Sequence, residues 1–98
     1  MHYFAGLDIG TTHTKLVICT PSLEIIFQEK LGYTAGFGAT LDADEIYRNT
    51  INLLDLANAQ LNFADNQMTI TFSAAMHSLL LVDAAARPLT PLYTWADI

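Results

Sequence analysis

The feature that most constrains the fold is a pair of apolar runs that flank a glycine near the N-terminus. Residues 3–9 and residues 14–20 are dominated by apolar side chains, and Gly10 lies in the short connection between them. An apolar run of this length that is bounded by turn residues is typical of a buried strand. Two such runs with a short glycine-containing connection predict an antiparallel hairpin.

The connection itself has the composition of a phosphate-binding turn. Asp8 interrupts the first apolar run, and a carboxylate inside such a strand is costly unless a cation compensates its charge. Gly10 favours a turn with positive φ and permits close approach of a ligand. The N–H and hydroxyl groups of Thr11 and Thr12 would line an anion-binding concavity, and Lys15 adds a positive charge. These parts suit nucleotide phosphates with Mg²⁺, whereas the alternative is an ordinary hairpin with a solvated Asp8.

The following residues predict a meander and then a helix. We expect a third strand at residues 25–33, and residues 34–41 contain glycines without periodicity, which predicts a loop. Asp42 precedes residues 43–61, in which apolar side chains recur at helical spacing, and Glu45 stands where a capping box places its acidic residue. We therefore expect an amphipathic helix that lies on a sheet.

The last third of the chain returns to strand-like patterns. Residues 62–67 are polar and predict a loop, and residues 68–72 alternate apolar and polar side chains, which predicts a strand with one dry face. A strand that follows a helix can lie parallel to the first strand through a crossover connection. Residues 79–82 and 92–95 predict two further short strands. The expected fold class is therefore α/β, with a mixed sheet, an antiparallel meander and a crossover helix.

A second group of chemically capable residues follows the strand at 68–72. Residues 73–78 leave the carboxyl end of that strand, where α/β folds place ligands. His77 offers a donor and an acceptor for hydroxyl groups, Trp95 an apolar face for a sugar ring, and Asp97 an acceptor. The alternatives are a solvent-facing loop histidine, a core tryptophan and a solvated aspartate.

Composition excludes several classes of function. The chain of 98 residues has a formal net charge of -6, which argues against nucleic acid as a partner because such binding needs a basic surface. Its single cysteine permits no internal disulfide, which fits the cytoplasm, and no apolar run is long enough for a membrane span. Hydrophobic residues make up 52% of the chain. That excess predicts exposed apolar surface and a homo-oligomer.

Taken together, these segments resemble the N-terminal part of the FGGY carbohydrate kinases, within the actin-like ATPase (ribonuclease H-like) superfamily. The resemblance covers essentially the whole chain, and its most specific part is the Met76-His77 segment followed by Trp95-Ala96-Asp97. It implies transfer of a phosphoryl group from ATP, with Mg²⁺, to a sugar or sugar acid. It implies phosphate binding by Gly10, Thr11, Thr12 and Lys15, a direct or water-mediated metal contact by Asp8, and sugar binding by Met76, His77, Trp95 and Asp97.

The resemblance also implies what residues 1–98 would lack. The family's general base is an aspartate further along than Ile98, and the adenine-binding second domain also lies there. We therefore expect residues 1–98 to be the first part of a truncated first domain and to be inactive alone.

Within the family, the sequence looks most like the gluconate kinases. Xylulose kinases come second, because they typically have Gln and Gly where this chain has Ala75 and Ser78. The alternatives from other classes are a chaperone-like or actin-like ATPase and a freestanding, non-catalytic binding module.

Overall fold

The computed structural model describes residues 1–34, 40–75 and 78–94. In chain order its strands and helices are β1 (His2–Ile9), β2 (His13–Cys19), β3 (Ile25–Gly32), β4 (Thr40–Leu41), α1 (Ala43–Leu61), a 3₁₀ turn (Phe63–Asp65), β5 (Gln67–Ala74) and β6 (Leu92–Tyr93). Within these described ranges, no helix is both long and apolar enough to cross a membrane.

The main sheet has the strand order β3-β2-β1-β5. β1, β2 and β3 form an antiparallel meander. β5 returns after α1 and pairs parallel to β1 from His2–Gln67 to Ile9–Ala74. The predicted meander and the predicted parallel crossover are therefore both confirmed, and the carboxyl ends of β1 and β5 lie side by side.

The core lies between the sheet and one face of α1. Leu16 and Ile18 of β2 and Leu53 and Ala57 of α1 have no exposed surface. The helix packs mainly on β2 and β3. Because alternate side chains of a strand point to opposite faces, the intervening residues of β1 and β2 face away from the helix.

β5 departs from the expected pattern of one dry face. Ile70 and Phe72 lie directly opposite the buried Ala5 and Leu7 in the parallel register. They nevertheless remain 36% and 70% exposed, since α1 packs mainly over the other half of the sheet. The alternation correctly predicted the strand, but the prediction that one face of β5 is buried is wrong for the described residues.

α1 has the predicted bounds and the predicted cap residue. The Asp42 side chain accepts a hydrogen bond from the N–H of Asp44, and the helix ends at Asn62 in a left-handed conformation with φ of 53°. The Glu45 carboxylate is buried and accepts hydrogen bonds from the backbone N–H and the hydroxyl of Thr34. Glu45 therefore joins the first turn of α1 to the segment that leaves β3.

Four short regions differ from their predictions. Most of the loop expected at 34–41 lies outside the described residues, and its last two residues, 40 and 41, form β4, which pairs with β6 in a second sheet. The expected polar loop at 62–67 contains the 3₁₀ turn and the start of β5. The predicted strand at 79–82 is absent among the described residues, where only the isolated bridges Leu79–Tyr93 and Val82–Pro88 occur. Of the strand predicted at 92–95, Leu92–Tyr93 forms β6, residue 94 follows it outside the strand, and residue 95 lies outside the described residues. Short apolar runs do not specify their partners, so sequence periodicity could not assign these pairings.

Candidate active site

The hairpin loop (residues 10–12) connects β1 to β2. Ile9 and Thr14 are the last paired residues of the two strands, and the Gly10 N–H donates to the His13 carbonyl oxygen over 3.0 Å. A Cβ at Gly10 would lie 3.1 Å from that oxygen, and the backbone of Gly10 is outside the left-handed region. The expected positive φ is therefore wrong: Gly10 is needed because the backbone comes close to His13.

The hairpin loop offers two backbone donors to a ligand. Thr11 and Thr12 are both exposed. In the part of the chain that the structure describes, their N–H groups donate to no protein acceptor. The Thr12 hydroxyl pairs with Nδ1 of His13 at 2.8 Å. Adjacent free N–H groups at a tight turn are the arrangement that binds anions such as phosphates.

Asp8 is exposed at the carboxyl end of β1. The argument that burial would force a cation onto Asp8 is therefore wrong, because its side chain points to the face of the sheet opposite α1. The chemistry still fits Mg²⁺, which is commonly held by one or two carboxylates together with phosphate oxygens and water. No cluster of three or more His, Cys, Asp or Glu side chains that could hold a metal occurs within the described ranges.

A row of charged and polar side chains crosses this open face of the sheet. Asp8 lies opposite Ser73 on one side and Lys15 on the other, and Lys15 in turn lies opposite Lys30. Directly paired like charges are unfavourable, so the two lysines favour an anion nearby. The sequence analysis did not assign Lys30 to the site. The register of the predicted meander, counted outward from the hairpin, would have placed Lys30 beside Lys15.

A groove with a volume of about 320 Å³ runs along the same face, and its lining includes Asp8, Lys15, Thr71 and Ser73. Gly6 also lines the groove, and a Cβ added there would meet no atom within 4 Å. The missing side chain at Gly6 thus keeps the floor of the groove low between β2 and β5. Of the residues predicted for phosphate and metal binding, Asp8 and Lys15 therefore line an open cleft.

The two segments predicted to bind sugar are joined at their flanks. The Ala75 N–H donates to the Ile9 carbonyl oxygen over 3.0 Å, which places the end of β5 beside the hairpin loop. Leu79 and Tyr93 exchange two backbone hydrogen bonds of 2.9 and 2.8 Å. Residues 78 and 94 are thereby brought close together. Met76, His77, Trp95 and Asp97 themselves lie outside the described residues, so their roles stay predictions.

Tyr33 is a residue of the site that sequence reasoning missed. Its hydroxyl donates to the Gly10 carbonyl oxygen at 3.0 Å and lies 2.8 Å from the Thr14 hydroxyl. Burial raises the pKa of the Tyr33 hydroxyl above its ordinary value, the hydrogen bond with Thr14 opposes the rise, and the negative charges of Asp8 and Glu45 add to it. The hydroxyl therefore keeps its proton and the bond to Gly10 at physiological pH.

The mixed sheet and its hairpin loop match the actin-like ATPase fold class that the resemblance implies. Residues 3–98 match the model of the family described as "FGGY family of carbohydrate kinases, N-terminal domain". The chain therefore belongs to the FGGY family of carbohydrate kinases, which confirms the resemblance and the expected α/β fold. Membership in a carbohydrate kinase family decides against the alternative of a chaperone-like ATPase.

Individual relatives agree with this assignment. A gluconokinase of Bacillus licheniformis is 38% identical over 97% of this chain and 19% of that protein. A xylulose kinase of Staphylococcus xylosus is 28% identical over 99% of this chain and 21% of that protein. The crystal structure of gluconate kinase from Lactobacillus acidophilus superimposes with a TM-score of 0.84 at 26% identity, over 98% of this chain and 20% of that chain. The chain thus spans about a fifth of the length of these relatives.

Proposed function

We propose that residues 1–98 are the N-terminal part of the first domain of an ATP-dependent carbohydrate kinase. The hairpin loop binds the phosphates of ATP, and the whole protein transfers the γ-phosphoryl group to a hydroxyl of a sugar or sugar acid. The observation that carries the proposal is the pair of Thr11 and Thr12 N–H groups, which within the described chain bond to no protein acceptor and which follow the exposed Asp8 along the chain. Phosphoryl transfer depends on this kind of positioned charge stabilisation.

The residues divide into a nucleotide side and a sugar side. Gly10, Thr11, Thr12 and Lys15 hold the phosphates, and Asp8 holds Mg²⁺ directly or through water. When bound, the ion would neutralise charge that develops on the phosphates. Met76, His77, Trp95 and Asp97 bind the sugar. The general base is an aspartate outside residues 1–98, so these residues supply half of the nucleotide clamp and part of the sugar pocket.

Gluconate is the substrate that the relatives favour. The gluconokinase of Bacillus licheniformis shares more identical residues with this chain than the xylulose kinase of Staphylococcus xylosus does. Ala75 and Ser78, which flank Met76-His77, also depart from the xylulose pattern. Xylulose is the second candidate, because the match to a xylulose kinase covers nearly the whole chain. We place the protein in the cytoplasm, because its single cysteine permits no internal disulfide and so fits a reducing compartment.

Release of ADP by the full-length protein tests the function. We expect ATP-dependent turnover with gluconate that exceeds turnover with xylulose, and no turnover by residues 1–98 alone because the base and the second domain are missing. A coupled ADP-release assay with each sugar measures both. A full-length protein that releases no ADP with any sugar tested, or turnover by residues 1–98 above a buffer blank, would contradict the proposal.

Self-association through β5, the part of the sheet that α1 leaves uncovered, is a separate expectation. Phe72 is 70% exposed and shares its face with Ile70, although both lie opposite buried residues of β1. Exposed apolar surface of this kind promotes association between copies. Sedimentation of residues 1–98 is expected to show dimers or larger species that Phe72→Ser weakens, with Tyr47→Ser, which changes an exposed aromatic residue on α1, as the control. A monomer at high concentration would count against it.

A further inference from the structure

We propose that Tyr33 is a positioning residue that orients the hairpin loop for phosphate binding. The inference rests on the proposed function, because that function assigns the loop to the phosphates of ATP. Tyr33 makes three contacts to the loop and its base: its hydroxyl with the Gly10 oxygen at 3.0 Å, its hydroxyl with Thr14 Oγ1 at 2.8 Å, and its N–H with the Thr12 oxygen at 3.1 Å.

The direction of these hydrogen bonds follows from the number of hydrogens. A phenol has one hydrogen, and Tyr33 donates it to the Gly10 carbonyl oxygen. The Thr14 hydroxyl must therefore donate to the Tyr33 oxygen. Thr14 is fully buried in β2, so it holds the phenol from a fixed position in the core. The loop carbonyl is in this way tied to the rigid part of the sheet.

Fixing the Gly10 carbonyl also fixes the donor that a phosphate would meet. The peptide bond between Gly10 and Thr11 is trans, and a planar trans peptide directs its C=O and its N–H to opposite sides. The hydroxyl of Tyr33 therefore orients the Thr11 N–H, which within the described chain bonds to no protein acceptor. The bond from the Tyr33 N–H to the Thr12 oxygen restrains the other end of the loop in the same way.

Tyr33 is in turn anchored to α1 through its neighbour. The Thr34 N–H donates to both carboxylate oxygens of Glu45 at 2.9 and 3.0 Å, and the Thr34 hydroxyl donates to one of them at 2.7 Å. Glu45 is buried in the first turn of the helix. A carboxylate that accepts several hydrogen bonds is held firmly. The contacts run from α1 through Thr34 and Tyr33 to the hairpin loop.

Tyr33→Phe removes the hydroxyl and keeps the ring. In the full-length protein we expect kcat/KM for ATP to fall about tenfold, the scale of one lost hydrogen bond, while KM for the sugar stays within about twofold of wild type. Amide hydrogen exchange of the peptide that contains residues 10–12 should become faster in the absence of nucleotide. Tyr47→Phe is the matched control, because it removes the same group from an exposed tyrosine of α1.

Thr14→Val is the second variant, in case Tyr33→Phe impairs folding. It keeps the shape of the side chain and removes the hydroxyl that holds the phenol, so the same two readouts should change in the same direction. Equal kinetics and equal exchange for Tyr33→Phe and Tyr47→Phe, in a wild-type protein that phosphorylates sugar, would overturn the positioning role alone. A wild-type protein without kinase activity would overturn the proposed function, and the exchange measurement would then still decide whether Tyr33 restrains the loop.

Discussion

Asp8→Asn is expected to lower kcat of the full-length protein with ATP and gluconate about a hundredfold, the scale reported for losing one group that stabilises transition-state charge. The substitution keeps the size of the side chain and removes its charge. Asp8 is exposed at the end of β1, with Lys15 and Ser73 opposite it, so the backbone should be little disturbed. Steady-state kinetics at several Mg²⁺ concentrations measure the effect, and the variant should require more Mg²⁺ than wild type.

Two comparison variants test whether the effect is specific to Asp8 and to the nucleotide side of the site. Asp55→Asn removes the same charge from the exposed side of α1 and should leave kcat unchanged. His77→Ala should raise KM for the sugar about tenfold or more, as expected for one lost hydrogen bond in a closed site, with a smaller effect on ATP. If Asp8→Asn raised KM for the sugar and His77→Ala did not, the nucleotide and sugar sides would be assigned wrongly.

Leu53→Ala is expected to lower the free energy of unfolding by about 2–5 kcal/mol, the range measured for leucine-to-alanine changes in protein cores. Leu53 has no exposed surface and lies between α1 and the sheet. Its loss removes buried apolar area and leaves a cavity that neighbouring side chains fill only in part. Urea titration of the wild type and the variant measures the change.

Leu56→Ala is the matched control on the same helix. Leu56 is 48% exposed, so the same chemical change removes much less buried area, and alanine is itself the best helix former. We expect its cost to stay below about 1 kcal/mol by this reasoning. A loss equal to that of Leu53→Ala would contradict the assignment of the core to the Leu53 face of α1.

The sequence alone predicted the elements that local pattern controls. The bounds of α1 match the prediction at both ends, because the Asp42 cap and the helical spacing of apolar residues lie within the segment itself. The hairpin around Gly10 and the parallel crossover to β5 also match, since the change of hydrophobic period and the length of the connection decide them. The family resemblance is also confirmed. It rests on short motifs whose residues are neighbours in the sequence, so it could be recognised without the tertiary structure.

Only the tertiary structure decided how distant residues meet. The pairing of β4 with β6, the exposure of Asp8 and Phe72, and the contacts of Tyr33 with Gly10 and Thr14 all depend on strand register and on where α1 lies. Glu45 fits a capping box by sequence, yet its carboxylate binds Thr34 in the segment that leaves β3. Hydrophobic periodicity reports which face of a strand or helix is suited to burial, and the exposed Ile70 and Phe72 of β5 show that it does not decide whether that face is covered. The partner of a hydrogen bond between residues far apart is set by the assembled sheet and helix, which local pattern does not encode.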